Sequence, residues 1–114
     1  MHVYYKIQKF LKIPIPLFLK KLLKTYYGKN NLDKKLKKFL NYKNGFYIEI
    51  GAYDGVTQSN TLYFEKNKNW HGILIEPSKG IFQKCKKHRS KKNYFYNKAC
   101  VSFNYKKKFI KLNY

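Results

Sequence analysis

The chain has 114 residues and a formal net charge of +21, from 26 basic and 5 acidic side chains. That length allows one domain with a modest core and is short for a complete α/β enzyme. Two cysteines, Cys85 and Cys100, exclude a disulfide scaffold, and no CxxC or Cys/His cluster marks a metal site.

The charge invites a nucleic-acid partner, since clustered cations neutralise phosphates and release counterions. Only Arg89 is an arginine, however, whereas base-edge and phosphate recognition favour the guanidinium fork. The lysines also accompany abundant Asn, Tyr, Phe and Ile, the composition of an A/T-rich coding sequence. Non-specific polyanion binding is expected, and no specific nucleic-acid partner. Two reduced thiols and the lack of a cleavage site after IPIPLFL (13–19) point to a cytoplasmic protein. That run is also far below the ~18–20 apolar residues a membrane span requires.

In chain order, residues 1–44 read as a basic helical extension. After Pro14 and Pro16, LFLKKLLKTYY sets Leu17, Leu19, Leu22, Leu23, Tyr26 and Tyr27 near one side, with Gly28 as the stop. GKNN (28–31) is a turn. LDKKLKKFLNY then places Leu32, Leu36, Phe39 and Leu40 on one face. Lysines opposite an apolar face suit an anionic bilayer surface, so residues 1–27 are a candidate for peripheral membrane contact. The same pattern suits a helix covering a sheet.

From residue 45 the pattern changes. Phe46–Ile50 and His71–Glu76 read as strands, and the segment holding Leu62, Tyr63 and Phe64 between them reads as a helix. A further helix carries Ile81, Phe82 and Cys85 on one face. Asn93–Ser102 follows as a third strand, and Lys107–Leu112 as a weak fourth. The order β-α-β-α-β with near-continuous apolar strands predicts an α/β fold with a parallel sheet and right-handed crossovers.

In such a unit ligands bind at the carboxyl ends of the strands, which puts Gly51–Gly55 and Glu76 in the site. A dinucleotide loop needs GxGxxG; here Gly51 and Gly55 flank Asp54, whose charge would repel a diphosphate. That argues against a nucleotide-dependent oxidoreductase. S-adenosylmethionine (SAM) reverses the logic, because it carries a sulfonium and an ammonium and no phosphate. Acids near its methionine end form charge-assisted hydrogen bonds, and an acid after the second strand can accept both ribose hydroxyls. Of the five acids (Asp33, Glu49, Asp54, Glu65 and Glu76), Glu49, Asp54 and Glu76 lie where that pocket needs them.

The pieces FYIEIGAYDG (46–55), VTQSNTLYFEK (56–66), W-HGILIEP (70–77) and NKACVS (97–102) resemble the first half of an FkbM-like methyltransferase domain, over about half of the chain. The resemblance implies an incomplete class I Rossmann-like fold in residues 45–114. It also implies SAM as cofactor and O-methyl transfer to a glycan, lipid or small-molecule hydroxyl. By position, Glu49, Gly51, Ala52, Asp54 and Gly55 would surround the methionine portion and Glu76 would hold the ribose. Pro77 would shape the following turn, with Ser59 and Asn60 near the cofactor. Tyr53 departs from the family, where asparagine is usual. Neither a catalytic base nor a metal ligand is implied.

Family members continue into a fourth strand with an acidic segment and three more strands. The chain is accordingly expected to be a truncated gene product or a fragment whose remainder lies elsewhere, alone either marginally folded, self-associating or inactive, with its first strand an exposed edge. The competing expectation is a small basic nucleic-acid- or membrane-surface-binding module that keeps a remnant Rossmann fold.

Overall fold

The computed structural model describes residues 16, 18–19 and 23–113. A one-turn 3-10 segment leads into helix α1 (Leu32–Leu36), followed by strand β1 (Phe46–Ile50) and helix α2 (Leu62–Lys68). Strand β2 (His71–Ile75), helix α3 (Lys79–His88) and strand β3 (Tyr94–Tyr96) complete the order. The strands form one parallel sheet, β1-β2-β3, with Ile48 opposite Ile73 and Ile73 opposite Tyr94. This is an α/β arrangement compatible with part of a Rossmann-like fold.

Local signals explain the boundaries. Ser59 Oγ accepts from the N–H groups of Thr61 and Leu62, satisfying donors that the first turn of α2 leaves open. Asn69, at φ 55°, ends that helix in the left-handed conformation. The last turns of α2 and α3 are basic, which suits their helix dipoles.

Strand alternation splits the sheet into unlike faces. Tyr47, Leu74 and Phe95 turn toward a core that includes Ala52, Tyr63, Phe64, Trp70 and Cys85. The opposite face presents Phe46, Ile48 and Ile50, at 50–65% exposure, and, on the far side of β2, the exposed Tyr94 and Tyr96. β1 is an edge strand, as expected.

In the N-terminal third, Phe18 and Leu19 are helical as expected and the Leu23 N–H donates to the Leu19 carbonyl at 3.0 Å, but the helical pattern does not continue to Gly28. Residues 24–27 are not helical, and Gly28 is extended (φ −60°, ψ 146°) and forms a lone parallel bridge with Gln58. Contacts with the domain override helical spacing here: Tyr26 stacks on Tyr63 at 4.9 Å, and the Tyr27 N–H donates to Asp33 Oδ2 at 2.6 Å. Leu17, Leu22 and most of the proposed membrane segment 1–27 lie outside the described residues. α1 is also shorter and turned differently from the expected face. Its buried residue is Asp33, held by Tyr27 and Lys34 N–H groups, while Leu32 and Phe39 are exposed. Leu36 and Leu40 do pack on the core.

β3 stops well short of Ser102, and Lys107–Leu112 forms no strand. After Tyr96 the ladder gives way to the Asn97 amide, which donates to the carbonyls of Glu76 and Pro77 at 2.8 and 2.9 Å. Among the described residues no helix is long and apolar enough to cross a membrane.

Candidate functional site

The loop after β1 is fastened to the end of β2. Gly51 and Ala52 N–H groups both donate to the Ile75 carbonyl at 2.9 Å. Gly51 has φ 73° and Gly55 φ 81°, values that favour residues without a Cβ. At Gly51 a Cβ would meet open space, but at Gly55 it would stand 2.7 Å from Arg89 Cγ. Between them Tyr53 adopts φ 51° with its side chain half exposed. Its N–H donates to Glu76 Oε2 at 2.9 Å.

Asp54 builds the next turn. Its Oδ1 accepts from Val56 and Thr57 N–H groups at 2.9 and 2.7 Å, and its Oδ2 accepts the Thr57 hydroxyl at 2.7 Å. Partial burial pushes its pKa up, but the hydrogen bonds from Thr57 and Val56 outweigh burial and hold it below the ordinary value. The carboxylate is therefore ionised at neutral pH. The Asp54 carbonyl accepts from His88 Nδ1 at 2.8 Å, which ties the loop to the end of α3.

Glu76 is 7% exposed and joins loop to strand: Oε2 takes Tyr53 N–H and Oε1 takes Ser78 N–H, each at 2.9 Å. Each oxygen keeps a further lone pair. Pro77 follows directly, with its carbonyl held by Asn97. Gly51, Ala52, Asp54, Gly55, Glu76 and Pro77 are thus gathered around one end of the β1-β2 pair.

Glu49 and Ser59 belong instead to the interior beneath the loop. Glu49 accepts from Ser59 Oγ, the Asn60 N–H, Thr61 Oγ1 and Arg89 Nη1. Asn60 Oδ1 is buried without a hydrogen-bond partner.

The residue that sequence reasoning missed is Arg89. Its Nε donates to Glu65 at 2.9 Å; Nη1 reaches Glu49, Ser59 and the Gly55 carbonyl, each at 3.1 Å. Nη2 donates to Tyr47 and Thr61 at 2.8 Å. Tyr47 Oη also lies 2.7 Å from Glu65 Oε2 and 2.6 Å from Asn93 Oδ1, and its proton goes to one of them. Burial raises the phenol's pKa, with the Arg89 charge opposing. Burial would also raise Glu65, but the Tyr47 hydrogen bond and the Arg89 charge bring it below the ordinary value. One signal was available: a single arginine among 26 basic residues marks a position that lysine does not fill.

The chain matches no family model, no curated protein and no solved structure. No group of three or more metal-ligating side chains occurs among the described residues. The loop offers an ionised carboxylate, a second carboxylate at the next strand end and left-handed glycine backbone between them. Such a site favours a ligand with a cationic centre and hydroxyls over a phosphorylated one.

Proposed function

We propose that residues 45–114 form the cofactor-binding part of a class I, FkbM-like SAM-dependent methyltransferase. In this reading the Gly51–Gly55 loop takes the methionine end and Glu76 accepts the ribose hydroxyls. The acceptor would be a glycan, lipid or small-molecule hydroxyl. The observation that carries the reading is the Tyr53 N–H to Glu76 bond, which holds the acid after β2 against an acidic glycine loop after β1. Transfer itself would require the acceptor oxygen to be aligned with the methyl group and its proton removed.

The test is calorimetric titration of the chain with S-adenosylhomocysteine, beside Glu76→Ala. Saturable binding that Glu76→Ala abolishes, while the variant keeps its far-ultraviolet circular dichroism, supports the reading. A folded chain that gives no heat with the ligand rejects it.

A second reading, a basic module for nucleic acid or an anionic membrane surface, draws on another observation. All five acids accept hydrogen bonds within the chain, and the ion pairs among the described residues belong to Arg89. Among the described residues no lysine pairs with a carboxylate. Binding that weakens steeply with salt and survives Glu76→Ala would favour this reading.

A further inference from the structure

A cavity of about 560 Å³ opens beside the loop, and no acid lines it. One wall is the chain just beyond Asp54, including Thr57 and Gln58. The other is the segment 24–29, and Lys66 reaches in from α2. The Gly28–Gln58 bridge fastens the two walls together, and the Asp54 carboxylate sets the turn that carries Thr57.

Three lysines, Lys24, Lys29 and Lys66, line this space. Tyr27 gathers two of them: Lys24 Nζ lies 5.4 Å and Lys66 Nζ 5.0 Å from its ring centroid, and Lys66 Nζ donates to its hydroxyl at 3.0 Å. A ring can attract an ammonium within about 6 Å of its centroid. It does nothing, however, to neutralise the repulsion between two of them. No carboxylate lines the cavity, and the ion pairs among the described residues belong to Arg89, so these ammonium groups have no counter-ion at the cavity wall.

We infer that this cavity is a binding site for a phosphate group carried by a small molecule. Compact ammonium groups with three donors each suit a tetrahedral oxyanion approached from several sides. A planar carboxylate pairs better with a guanidinium fork, which the cavity lacks. Thr57 and Gln58 add neutral polar residues to the lining. The site stands on the cavity alone; its further use, to anchor a phosphorylated methyl acceptor beside the loop, rests on the methyltransferase reading.

The experiment is a titration of the full chain with inorganic phosphate at fixed ionic strength, followed by amide chemical shifts. Saturable changes centred on Tyr27, Gly28, Thr57 and Gln58 are expected. Lys66→Met and Lys24→Met should each weaken binding at least tenfold, and Lys86→Met, outside the cavity, less than twofold. Equal weakening by all three variants, shifts spread over the whole lysine surface, or a response only to an oligonucleotide would overturn the inference. Titration of the same variants with S-adenosylhomocysteine separates the two ideas. If the chain binds phosphate but not that ligand, the site survives and the methyltransferase reading falls.

Discussion

Arg89 and Glu65 meet at 2.9 Å with side chains 0% and 9% exposed, and through them the end of α3 is locked to α2 beneath the loop. The same guanidinium reaches Glu49 on β1 at 3.1 Å. Breaking a buried pair by removing one member costs about 3–5 kcal/mol, chiefly because the partner is left charged and unsatisfied. Arg89→Met is expected to destabilise by that amount. Arg89→Lys should recover only part, since an ammonium cannot serve Glu65, Glu49, Tyr47, Thr61 and Gly55 together. Urea unfolding followed by Trp70, the one tryptophan and 6% exposed, measures both.

The two loop glycines should respond unequally to alanine. Gly51→Ala meets open space and bears only the left-handed backbone cost, about 1 kcal/mol. Gly55→Ala adds a collision with Arg89 and should cost at least twice as much. Equal losses would show that the Arg89 side chain yields freely.

Tyr53 carries a left-handed backbone that asparagine tolerates better, and its side chain is half exposed. Tyr53→Asn is therefore expected to stabilise the chain by about 1 kcal/mol. A lower melting temperature would mean that the exposed phenol contributes more packing than its exposure implies.

Stability should fall at both ends of the pH range. Burial raises the Tyr47 phenol above its ordinary 10.0 and pushes the Cys85 thiol from 9.0 up to about 11. Both hold their protons longer folded than unfolded, so their contribution is whole below pH 9 and declines as pH rises through the folded values. Glu65 is shifted downward; its contribution is present above 4.5 and is lost as pH falls. Urea midpoints across pH should show a plateau between these limits. Cys85→Ala should move the onset of alkaline loss toward the tyrosine value.

Much of the α/β half is legible in the residues. FYIEI and HGILI are compact β-prone runs, and the strands lie where those runs do. α3 covers the segment carrying Phe82 and Cys85, both buried as its spacing implies. The extension was less legible, because in a lysine-rich chain almost any spacing of leucines looks amphipathic. Asp33 decides the facing of α1 through a contact with Tyr27 that no periodicity reveals. Arg89 was hidden for a related reason. Its partners come from β1, α2 and the loop, and their convergence exists only in the fold.

The open sheet face carries a consequence for handling the protein. Phe46, Ile48, Ile50, Tyr94 and Tyr96 meet water on a chain whose own copies repel one another through a charge of +21. Dispersion of the molecules therefore depends on long-range repulsion and not on a covered surface. Added salt shortens that repulsion to about 8 Å at physiological strength, near contact distance. Light scattering should then rise with sodium chloride, opposite to the usual salting-in of a charged protein, and Ile48→Lys should suppress the rise. A buffer chosen to strip adventitious polyanions from the lysines would be the one that makes the chains adhere.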